Sequence, residues 1–149
     1  MVRNYNINDL EQVMQIWLQA NIEAHDFITK TYWEGNYEMV KDIMLAAKEL
    51  GINIFVVEQD DDIKGFIGIR KGYIEGLFIK KDNQGQGMGR ALVEQAKERF
   101  DELSLSVYEK NKDAIAFYQR QGFEIVSKGY NEETDEIEFL MKFRTREKI

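Results

Sequence analysis

"KKDNQGQGMGRALVEQ", residues 80–95, sets glycines at every second position, 85, 87 and 89, between a charged run and a helix-forming run. Glycine removes side chains that would hold a ligand away from the backbone, and it relaxes the limits on φ. Met88, Leu92, Val93, Ala96 and Phe100 then recur at helical spacing, so the glycines open a helix. A helix N-terminus offers unpaired N–H groups and the positive end of a dipole, which suits a phosphate or another anion. Glycines before a helix are often only a turn. Here the strand-like run "YIEGLFI" (73–79) precedes them, and Lys80, Lys81 and Arg90 flank them. Phosphate binding is the better reading.

The composition narrows the ligand. A length of 149 residues suits a single domain over 1–149 with a proper core. The absence of cysteine excludes a disulfide framework, a thiolate nucleophile and a zinc–thiolate cluster. The first twenty residues contain Asn, Asp, Glu and Gln throughout, unlike a secretory leader. No apolar run approaches the roughly 20 residues that span a bilayer, so a cytoplasmic protein without a membrane partner is expected. A net charge of −7 argues against nucleic acid. The acid gathers in "EQDDD" (58–62) and "NEETDE" (131–136), both of which read as hairpin turns. Lys80, Lys81, Arg90, Lys110, Lys112 and Arg120 fall near the glycine loop or a later helix start. A basic patch on an acidic protein suggests a small polyanion.

Along the chain, Val2 to Asn6 forms a first strand. Asn8 then caps a helix with Leu10, Val13, Met14, Trp17 and Leu18 on one face. "AHDFITKT" (24–31) breaks that pattern, and a second helix is expected from Tyr32 to Leu50, stopped by Gly51. Three strands follow (52–59, 63–72 and 73–79), then the glycine loop with its helix to about Asp101. A strand (103–109), a capped helix (111–122) and a closing hairpin (123–130 and 136–143) complete the chain. The order β-α-α-β-β-β-α-β-α-β-β is that of a mixed α/β domain. Its sheet is mostly antiparallel, with a central parallel strand pair made by a right-handed crossover and about four flanking helices. A parallel pair can splay at its carboxyl ends and leave a ligand crevice.

Three phosphate ligands compete for the loop. A P-loop needs Gly-Lys-Ser/Thr, and Gly89 is followed by Arg90 and Ala91. A dinucleotide site needs G-x-G-x-x-G directly after its strand; the spacing here is G-x-G-x-G, and five polar residues, Lys80 to Gln84, intervene. The third is coenzyme A. "QGQGMGRAL" resembles the Q/R-x-x-G-x-G/A signature of the GNAT superfamily of N-acetyltransferases, with Gln84, Gly87 and Gly89 in place. "VYEKNKDAIAFYQRQGF" (107–123) resembles the family's second landmark through Asn111, Ala114, Phe117, Tyr118, Gly122 and Phe123. The likeness extends over essentially the whole chain and implies the GNAT fold.

What the resemblance implies can be set beside the residues. Acetyl-CoA would be the acetyl donor, with no metal. Gln84, Gly85, Gln86, Gly87, Met88, Gly89 and Arg90 would cradle its pyrophosphate. The pantetheine arm would pair with the backbone of Leu77, Phe78 and Ile79, and that strand would polarise the thioester carbonyl. Asn111, Ala114, Phe117 and Tyr118 would form the other wall, with Tyr118 as general acid for the departing thiolate. Tyr73 and Glu75 alternate on one face of the strand leading to the thioester site. Glu75 reads equally as general base and as a solvated carboxylate. The segment holding His25, Phe27, Tyr32 and Trp33 would border the acceptor. His25 alone reads better as a structural hydrogen-bonding residue, and packing explains the aromatic pair equally well. The segment also resembles small bacterial members assigned to lysine side chains or small amines. The implied activity is direct attack of a primary amine, small or on a protein lysine, in a ternary complex; the rival is a non-catalytic CoA-binding module. The acidic surface favours a cationic acceptor. Monomer and homodimer both stay open.

Overall fold

A computed structural model describes residues 1–145. One seven-stranded sheet has the order β1-β2-β3-β4-β5-β7-β6. Its strands are β1 (Val2–Asn4), β2 (Ile52–Gln59), β3 (Asp62–Arg70), β4 (Tyr73–Ile79), β5 (Glu102–Tyr108), β6 (Glu124–Asn131) and β7 (Glu136–Arg144). Every neighbouring pair is antiparallel except β4 and β5. The helices are α1 (Leu10–Ala24), α2 (Lys30–Gly35), α3 (Tyr37–Leu45), α4 (Ala47–Leu50), α5 (Met88–Arg99) and α6 (Lys112–Arg120). The mixed sheet, the central parallel pair and both acidic hairpin turns are as expected. Among the described residues no helix is long and apolar enough to cross a membrane.

Period-two alternation divides the core between the sheet's two faces. Phe55 and Val57 join Ile67, Ile69 and Ile74 under Met88, Leu92, Val93 and Ala96 of α5. Ile54 and Val56 join Phe66 beneath Leu10, Val13, Met14 and Trp17 of α1 and beneath Trp33. Burying both faces fixes the register of the central strands.

Two expectations about the first half need correcting. The cap of the opening helix is Asn6, not Asn8: its side chain accepts from Asn8 N at 2.9 Å, and Asp9 accepts from Asn6 N at 2.8 Å. This capping box closes a 3₁₀ turn at Ile7–Asp9, so α1 begins at Leu10. The single helix expected from Tyr32 to Leu50 is instead three short ones. Thr29 caps α2 through a bond from Tyr32 N. At Gly35–Asn36 the Asn36 amide donates to Tyr32 O at 2.7 Å, a local bond that competes with helical continuation. A second break at Ala46 separates α3 from α4, and Gly51, with φ of +73°, ends the stretch as expected.

β3 holds β4 in place by close backbone approach at Gly65. A Cβ there would lie 2.6 Å from the Phe78 carbonyl oxygen and collide with the Ile79 side chain. Gly65→Ala should therefore cost about 1–3 kcal/mol of stability, seen as a lower urea midpoint with an unchanged m-value. An unchanged midpoint would show that the β3–β4 contact is loose at this point.

Candidate active site

The site begins where the parallel pair fails. β4 and β5 are paired only at Tyr73 and Ser104, with Ser104 N donating to Gly72 O at 3.0 Å. The strands then part, and the edge of β4 toward Ile79 is left without a neighbouring strand. Between them opens a cleft of about 720 Å³. One wall is β4 from Ile74 to Ile79, and the other is the end of β5 with α6.

A β-bulge shapes the first wall. Gly68 faces Gly76 and Ile69 faces Ile74, so Glu75 is the extra residue on β4. The bulge puts Ile74 and Leu77 in the same core cluster, although they are three positions apart. Regular alternation therefore does not continue past Glu75. Glu75 is exposed and lines the cleft. Tyr73 lies outside the lining and donates its hydroxyl to Ser106 Oγ at 2.9 Å.

The glycine loop closes one end, and its glycines answer to different needs. Gly85 and Gly87 take φ of +77° and +82°, a left-handed backbone that a branched residue avoids. Gly87 is the N-cap of α5, so the first-turn N–H groups beyond it have no intrahelical partner. Gly89 has ordinary φ but meets α6: a Cβ there would sit 3.2 Å from the Phe117 ring. Gln84, Gly85, Gly87, Gly89 and Arg90 line the cleft, joined by Lys81 and Arg120. Gln86 and Met88 do not; Met88 is buried beneath the loop, and the Gln86 amide reaches Asp82 O at 3.4 Å. Lys110 also belongs elsewhere, paired with Glu136 at 3.1 Å.

α6 brings the expected residues together. Asn111, Ala114, Phe117 and Tyr118 all line the cleft. Asn111 caps the helix, its side-chain oxygen accepting from Ala114 N at 3.3 Å. Tyr118 is buried, and burial pushes its phenol well above the usual value. The phenol is neutral at neutral pH.

A family profile described as an acetyltransferase (GNAT) domain matches residues 22–142. The chain belongs to this family. It is 32% identical over 144 residues, 96% of both chains, to the peptidyl-lysine N-acetyltransferase YiaC of Escherichia coli K12. The apo solution structure of Escherichia coli YjaB superposes with a TM-score of 0.82 at 25% identity, covering 98% of each chain. The PaiA N-acetyltransferase of Thermoplasma acidophilum, in complex with coenzyme A, superposes at 0.79 with 20% identity over 97% of this chain and 98% of that one.

In this GNAT acetyltransferase one part of the cleft is aromatic. His25 and Trp33 line it with Tyr108, which the sequence analysis did not single out. Phe27 and Tyr32 stand outside the lining: Phe27 packs edge-on against His25 and Tyr108, and Tyr32 donates to Glu133 at 3.2 Å. Burial and that carboxylate push the Tyr32 phenol up to about 12. Asn21, Ser106 and Arg120 also line the cleft. A signal for Asn21 existed: it lies one turn beyond Trp17 on the apolar stripe of α1. It is 4% exposed, and its amide donates to Trp17 O at 2.8 Å.

His25 is buried, and burial lowers its pKa from the usual 6.5. Below that value the unfolded chain binds a proton that the folded chain resists, so stability rises with pH through this window. The contribution is complete above about 6.5 and is lost as pH falls toward the folded value. The urea midpoint should be higher at pH 7.5 than at pH 5.5, and His25→Phe should shrink that difference. An identical pH difference in the variant would contradict this assignment.

Proposed function

We propose that this GNAT enzyme transfers the acetyl group of acetyl-CoA to a primary amine, with a protein lysine the favoured acceptor. The observation that carries the reading is the parted strand pair. It joins an anion-receiving loop at one end to a buried, protonated tyrosine in the opposite wall. The relatives named as peptidyl-lysine N-acetyltransferases support the acceptor class.

The N–H groups of the glycine loop and the first turn of α5 receive the pyrophosphate, while Arg90 and Arg120 offset its charge. Along Leu77, Phe78 and Ile79, the β4 edge that faces away from β3 receives the pantetheine arm. An N–H of this strand polarises the thioester carbonyl. The acceptor enters from the side of His25 and Trp33, where Glu23 and Glu75 line the cleft and favour a cationic amine. The neutral amine attacks the thioester carbon, the carbon–sulfur bond breaks, and the thiolate takes the Tyr118 proton. The nitrogen gives up its surplus proton, and through solvent one returns to Tyr118. Glu75 at the bulge is placed to relay the proton lost by the amine on entry.

The test is CoA release with a panel of lysine peptides and small amines, run on wild type and Tyr118→Phe. Wild type should turn over lysine peptides, and the variant should lose about 10²–10⁴-fold in kcat with acetyl-CoA affinity nearly unchanged. Full turnover in the variant would remove Tyr118 from the chemistry. Acetyl-CoA binding without CoA release from any amine would favour the non-catalytic module.

A further inference from the structure

The histidine in the acceptor wall is bonded on both ring nitrogens, and the two bonds join distant parts of the fold. Nδ1 lies 3.0 Å from the carbonyl oxygen of Asn21, in the last turn of α1. Nε2 lies 3.3 Å from Nδ2 of Asn111, the cap of α6, 86 residues away. A carbonyl only accepts, so Nδ1 carries the proton and Nε2 of the neutral ring accepts. Asn111 matches this: its oxygen takes Ala114 N, which turns its amide toward Nε2. The tautomer and the amide orientation therefore specify each other.

The ring has little freedom to leave this arrangement. Trp33 stacks on it at 5.2 Å between centroids, while Tyr108 and Phe27 meet it edge-on at 5.1 and 5.6 Å. His25 is 8% exposed. Such a clamped, doubly bonded group can hold another side chain to a defined place.

We propose that His25 is a positioning residue for acetyl transfer. It holds the Asn111 amide, keeps the cap of α6 closed, and so fixes where that helix carries Tyr118 in the cleft wall. The kinetic part of the proposal rests on the acid role of Tyr118; the bonded arrangement does not.

The test has two independent arms. The chain has a single histidine, so both imidazole nitrogen resonances belong to His25. In ¹⁵N NMR of the wild type they should show a proton on Nδ1 and an unprotonated, hydrogen-bonded Nε2. A ring protonated on Nε2 would overturn the proposal, whatever Tyr118 does. The second arm is kinetic. His25→Phe keeps an aromatic ring but no acceptor, and should lower kcat by about tenfold to a hundredfold while acetyl-CoA affinity changes little. His25→Gln returns an oxygen near the place of Nε2 and should recover much of that loss, which a packing role would not predict. In a Tyr118→Phe background, His25→Phe should cost little more, because both act through one proton transfer. Wild-type turnover in His25→Phe, no recovery in His25→Gln, or a full additive loss in the double variant would each contradict the proposal. Full turnover in Tyr118→Phe alone would instead count against the acid role.

Discussion

Everything functional here depends on two neighbouring strands that stop pairing. β4 and β5 share one paired position, at Tyr73 and Ser104. In a closed parallel ladder the backbone groups of β4 would be consumed by β5, and no crevice would exist. An unpaired backbone edge inside a domain is costly unless something bonds to it. In this family the ligand is suited to that task, because a pantetheine arm carries amide groups that can occupy a missing strand's place. The bulge at Glu75 adds to the divergence by turning β4 just after the last shared position.

The glycine loop and α6 are placed by that opening. α5 follows β4 and covers one sheet face through Leu92, Val93 and Ala96, so its N-terminus comes to the end of the cleft. Gly89 lets Phe117 approach α5, which brings α6 against the same opening. Buried beside Phe123, Tyr118 is then held in the far wall while its phenol stays neutral. Backbone donors at one end and a buried, neutral phenol in the wall follow from the same packing.

Much of this was legible in the sequence, for identifiable reasons. The glycine spacing, the strand before it and the "NKDAIAFYQRQGF" stretch (111–123) each combine a local conformational need with a chemical one, so they located both cleft walls. What failed was governed by single residues acting against a period. The long helix of the first half breaks at Asn36, whose side chain bonds back to Tyr32 O. The alternation of β4 breaks at Glu75, which a period of two cannot anticipate. The pairing of His25 with Asn111 joins residues 86 apart, and no local pattern contains such a bond. Gln86 and Met88 sit within the signature yet do not line the cleft: Met88 is buried, and the Gln86 amide reaches back to Asp82 O.

The most direct test of the central claim is the response of backbone amide resonances to CoA. If the ligand occupies the parted strand edge, amides of residues 76–79, of the loop 84–90 and of the start of α6 should shift together, at one affinity. The antiparallel edge at β6 should stay unmoved. Shifts confined to the outer groove of Glu94, Lys97 and Gln121 would place the phosphates there and leave the parted edge of β4 without a ligand.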